Sequence, residues 1–151
     1  MKKIIAYLSL ILAVDAVLLA LIKLDFMPSC WTALGLILPC ALIGGIGGEV
    51  YCLRAVYLNV CVKQSWDPKW EVWYYIRPLV SHACGAISFV FLKAGLLLLE
   101  AEGKPTSTEL GFLAFAFIAG LNVDKFIAKV EDISQATWGI EKSRTARDKK
   151  K

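Results

Sequence analysis

Four long apolar blocks restrict what this chain can fold into more than any motif does. The first is IIAYLSLILAVDAVLLALI, residues 4–22, and the second runs from Trp31 to about Cys52. The third, YIRPLVSHACGAISFVFLKAGLLLL, covers residues 75–99, and the fourth, ELGFLAFAFIAGLNV, starts at Glu109 and leaves the apolar regime near Asp124. A helix needs about 20 apolar residues to cross a hydrocarbon core of roughly 30 Å. The blocks carry most of the 58% hydrophobic content, against about 45–50% apolar in soluble domains. The expected fold is therefore all-α: a polytopic membrane protein of four transmembrane helices with a C-terminal amphipathic cytoplasmic helix. The fourth block is the shortest. It spans only if its helix begins near Ser107 and continues into the amphipathic stretch behind it.

MKK and a Val14-Asp15-Ala16 site also fit a signal peptide. The apolar run continues to Ile22, however, past the roughly 7–15 residues of an h-region, and an aspartate beside the cut is unusual. A retained span is expected. The five cysteines, at 30, 40, 52, 61 and 84, show neither C-x-x-C nor metal-ligand spacing. Their odd number gives no disulfide framework.

Basic residues flanking spans favour the cytoplasmic side. Lys2 and Lys3 precede the first span, while Lys63, Lys69 and Arg77 lie in or beside the middle loop. The tail carries Lys142, Arg144, Arg147 and Lys149 to Lys151, whereas the opposite loops offer only Lys23 and Lys104. Both termini and the middle loop should be cytoplasmic. That loop also holds Trp66, Trp70, Trp73, Tyr74 and Tyr75. Aromatics this dense beside spans fit an interfacial belt, with a recognition platform as the alternative; nucleic acid is not an expected partner.

Residues 44–57, GGIGGEVYCLRAVY, combine four glycines with two charges. Lipid tails are as apolar as leucine, so spans associate through close backbone approach and polar contacts instead. Ala41, Gly44, Gly45, Gly48, Cys52 and Ala55 form one small-residue face at helical spacing. Ser81, Cys84, Gly85 and Ser88 form another, and Ala116-x-x-x-Gly120 a third. These faces join helices of one subunit, or they join subunits.

Ionisable residues inside a span cost about 2.5–3.5 kcal/mol at its centre and become functional candidates. Arg54 can snorkel, while Glu49, one turn deeper in the cytoplasmic part of its span, needs a partner. Arg77 is the first choice, giving a structural ion pair; the other possibility is a charged ring at a pore mouth. Asp15, in mid-span, is either protonated or bonded to a serine or to His82. His82 is the only histidine. By itself it cannot build a metal site, and no metal or cofactor is expected.

Val123, Phe126, Ile127, Val130, Ile133, Thr137 and Trp138 recur at three- and four-residue steps opposite Lys125, Lys129 and Glu131, with Gly139 as a stop. Residues 1–139 therefore read as one domain. Residues 140–151 read as a disordered basic tail.

The run WYYIRPLVSHACGAISFVFLKAGLL, preceded by GGIGGEV and followed by FAFIAGLNVDKF, resembles small multi-spanning bacterial inner-membrane proteins of unassigned function. The likeness covers roughly residues 40–140. It implies the bacterial inner membrane and supplies no catalytic residues. Proteins of this shape include effectors of anti-phage defence, an analogy of architecture alone. G-x-S-x-G, H-E-x-x-H and phosphate-loop patterns are all missing from the sequence. The expectation is a non-enzymatic protein in the lipid bilayer, acting as a homo-oligomeric pore or membrane-perturbing assembly. The alternative is an anchor whose amphipathic helix recruits a cytoplasmic protein partner.

Overall fold

The computed structural model describes residues 1–24, 26, 34–94 and 105–140, with side chains from Glu109 onward in the last stretch. The described elements are helical: α1 (Lys2–Lys23), α2 (Ile37–Tyr57), α3 (Glu71–Lys93), α4 (Pro105–Leu121) and α5 (Val123–Trp138). A π-helical turn, Leu58–Val62, extends α2. A short 3-10 turn, Pro68–Trp70, leads into α3, and the Asp67 carboxylate accepts a 3.0 Å hydrogen bond from the Lys69 N–H at its start. Three of these helical stretches are long and apolar enough to cross a bilayer. The proposed basic tail beyond Ile140 lies outside the described residues.

α2 forms the centre because its glycines let two neighbours, α3 and α4, approach closely. A Cβ added at Gly44 would fall 2.6 Å from the Gly85 Cα, and one at Gly48 would fall on the Ser81 side chain. A Cβ at Gly120 would collide with the backbone of Gly44, and one at Gly47 would sit 2.5 Å from the Phe117 carbonyl oxygen. The small-residue faces of α2, α3 and α4 are thus engaged with one another inside a single chain. Gly47 belongs to the contact with α4, which a single-stripe reading of α2 passes over.

Contacts fix the directions. Cys40 and Phe89 share one cluster and Cys52 and Tyr74 another, so α2 and α3 are antiparallel. Ile4 and Leu8 join the second cluster, which places the start of α1 beside the end of α2. Cys40 meets Ala116 and Gly44 meets Gly120, so α4 runs parallel to α2.

α4 does not continue straight into the amphipathic stretch; the two form a sharply bent pair, either a broken span or a re-entrant loop. Leu121 reaches only Gly47 on α2, ten residues before Tyr57, so α4 ends about 15 Å short of the end of α2 at 1.5 Å per residue. At Asn122 the chain bends by 107° into α5. The Ser81 hydroxyl lies 3.1 Å from the Gly120 carbonyl oxygen and 2.9 Å from that of Arg77, and shares its one proton between them. Beyond the bend, Val123 and Phe126 bury against Cys84 and Ala119, so the stripe packs on α3 rather than on the end of α2. Ile127 and Trp138 stay exposed, and Gly139 closes the helix in the left-handed region at φ 67°.

Candidate functional site

Three ionisable side chains from three different helices converge in the bundle. The donor atoms of Asp15 on α1, Glu49 on α2 and His82 on α3 all lie within 4.8 Å of one another. Asp15 is 4% exposed and Glu49 0%. His82 is partly buried, with 25% of its side chain accessible.

The local sequence explains the convergence. Gly45 and Glu49 stand one helical turn apart on the same face of α2. A Cβ at Gly45 would run into the His82 ring. The missing side chain is therefore what lets the imidazole lie beside α2, next to the Glu49 carboxylate. Ser81, adjacent to His82, occupies the matching space over Gly48. Within the glycine run that precedes the charge, Gly45 makes room for the histidine that faces the glutamate.

His82 is oriented at both nitrogens. Nδ1 lies 2.8 Å from the Pro78 carbonyl oxygen, one turn back on α3. A carbonyl only accepts, so Nδ1 carries a proton and donates it. Nε2 is 2.7 Å from Asp15 Oδ2. That short contact also needs a proton, held on Asp15 or on Nε2, and in either case the pair is neutral as a unit. Of the alternatives open for Asp15 in the sequence (protonation, a serine or His82), the contact with His82 is the one present, and it ties α1 to the rest of the bundle.

Glu49 is different. Among the described residues no N–H or hydroxyl group donates to either of its carboxylate oxygens, although both are fully buried. The one group close enough to share a proton with it is the Asp15 carboxyl. An unpartnered polar group in such a place is costly, and a charged one far more so.

The expected Glu49–Arg77 pair does not form. Arg77 Nη1 instead donates to Asp124 Oδ2 at 2.9 Å, and its guanidinium stacks over Tyr51 and Trp73 at 4.9 and 5.3 Å. Position along the helix placed Arg77 at the right height, but azimuth decides. Arg77 and His82 are five residues apart, about 140° around α3, and Glu49 shares the His82 side. Asp124, the partner Arg77 does take, stands beyond the bend that sequence periodicity did not show. Arg54 is exposed and outside the cluster. Gly44, Gly48, Gly85 and Gly120 serve helix packing, while Gly45 serves the site directly.

The sequence argument against a metal took His82 alone, with the acidic residues at different depths. The fold instead gives the histidine two carboxylates at one level. Trp66 and Tyr74 stack at 5.5 Å at the far end of the bundle and line a cavity of about 680 Å³, separate from this cluster. Compared with protein-family models, curated proteins and solved structures, the chain matches none.

Proposed function

We propose that this chain is a non-enzymatic integral membrane protein that admits a cation to a site at Asp15, Glu49 and His82. The observation that carries the reading is Glu49, wholly buried, with no N–H or hydroxyl donor on either oxygen and a second carboxyl, Asp15, beside it. An Asp–His bond alone is explained as a helix-to-helix clip. A second carboxyl beside it adds nothing to a clip. Ionisable groups gathered between spans characteristically mark ion and proton pathways. The membrane setting is supported by the outer surface, where Leu10, Val14, Val17, Leu79 and Val90 are exposed.

The pore and anchor readings have less to draw on. The glycine faces are engaged within the subunit, so a multi-copy pore needs some other contact surface. Part of the amphipathic stripe of α5 is already covered by α3, which shortens the surface left for a cytoplasmic partner. Reconstitution tests the proposal. Proteoliposomes with the protein should dissipate an imposed proton or divalent-cation gradient faster than empty vesicles, and Glu49→Gln should abolish the difference. Equal rates for protein-containing and empty vesicles would refute it.

A further inference from the structure

We infer that the ion held at Asp15, Glu49 and His82 is a divalent transition-metal ion of the zinc class. This rests on the cation-site reading above and specifies its occupant. Four features point the same way. First, the donor set is mixed, with one imidazole nitrogen and two carboxylates. An imidazole donor suits zinc and its neighbours in the first transition series, whereas calcium and magnesium take oxygen ligands almost throughout.

Second, His82 is already held as a metal-ligating histidine is held. Its Nδ1 donates to the Pro78 carbonyl at 2.8 Å, which fixes the ring and turns Nε2 into the cluster. Metal-bound histidines almost always anchor their other nitrogen in this way. Gly45 provides the space in which that fixed ring sits.

Third, Glu49 is the missing ligand rather than a spare acid. It is 0% exposed, lies within 4.8 Å of both other donors, and no N–H or hydroxyl group among the described residues donates to it. Its one close polar neighbour is a second carboxyl, Asp15, and a metal ion would engage both.

Fourth, the charges match. Two carboxylates and a neutral imidazole carry two negative charges, which a divalent ion cancels. The proton held between Asp15 and Nε2 and the proton that keeps buried Glu49 neutral both leave to water as the metal enters, and no redox change is involved. A neutral filled site is what a low-dielectric interior tolerates. Donors of a tetrahedral zinc site stand roughly 3.4 Å apart, given bonds of about 2.0–2.1 Å. Closing the cluster from 4.8 Å therefore needs carboxylate movements on the order of 1 Å. Three protein ligands leave one position open, as in zinc sites that exchange a ligand rather than lock the ion into the fold.

The test is calorimetric titration of the purified full chain in lipid nanodiscs with Zn²⁺, repeated with Co²⁺ as a spectroscopic probe. Proton flux is measured on proteoliposomes in parallel. The expected result is one ion per chain, a cobalt spectrum free of thiolate charge-transfer bands, and binding weakened about 100-fold or more in Glu49→Gln and Asp15→Asn. Each variant is checked by gel filtration and thermal unfolding, so that loss of binding is read only from folded protein. Tight binding that survives both substitutions, or a cobalt–thiolate spectrum, would overturn the assignment. Absence of metal binding together with Glu49-dependent proton flux would overturn the metal and leave the cation site. Absence of both would remove the site altogether.

Discussion

Asp15 is bonded to His82, and the chemistry of that bond separates two substitutions. In Asp15→Asn the amide can donate to Nε2 of a neutral ring, so the link between α1 and α3 persists while the carboxylate is lost. We expect thermal unfolding close to wild type and loss of cation-dependent flux. Asp15→Leu removes the link as well, and should cost about 0.6–1.7 kcal/mol, the range for hydrogen bonds between spans, read by unfolding in detergent. Gly45→Ala probes the same site from α2. Its Cβ would strike the His82 ring, so we expect about 1–3 kcal/mol of destabilisation from overpacking and a displaced imidazole. Preserved flux in Gly45→Ala would show that the ring position is unimportant. The Asp15–His82 bond was legible in the sequence, because mid-span polar residues have few partners and His82 was among them. The approach of Glu49 to that pair was not. Heights along helices can be counted, but which side of α3 faces α2 depends on the packed structure.

At the scale of elements, the glycines divide into those that touch backbone and those that do not. Gly120→Ala places its Cβ on the Gly44 backbone, whereas at Gly111 nothing lies within 4 Å. Backbone cannot yield as a flexible side chain can. Gly120→Ala should therefore separate α4 from α2 and cost about 1–3 kcal/mol. Gly111→Ala should be neutral or stabilise by roughly 0.5–1 kcal/mol. Similar unfolding temperatures for the pair would contradict the packing assignment. Gly35, which lies off the glycine face and would pass for a tolerant control in sequence terms, is unsuitable because its φ is 49° and any side chain is strained there. The three helices long and apolar enough to cross a bilayer were readable from apolar length. The 107° bend at Asn122 was not, since Gly-Leu-Asn-Val contains no proline and its glycine precedes the break. The bend coincides with interactions supplied by α3: Ser81 on the Gly120 carbonyl and Arg77 on Asp124.

For the whole molecule, the four described cysteines provide a probe of arrangement. Cys61 is exposed, while Cys40, Cys52 and Cys84 are buried. With Cys30 replaced by serine, a membrane-impermeant thiol reagent should label Cys61 from the cytoplasmic side only, if the basic residues orient the chain as charge implies. Labelling from the outside of intact cells would reverse the topology. Because α4 stops about 15 Å short of the end of α2, three helices pass the level at which the fourth has turned aside. Beyond that level the bundle is one helix thinner. In a bilayer such a body is a wedge: it fills more area in one leaflet than in the other, and α5 extends sideways near the level where the taper begins. Lipids around a wedge relax when the sheet bends toward its narrow end. The protein should therefore concentrate in strongly curved membrane, and an isolated copy should thin the narrow leaflet around it.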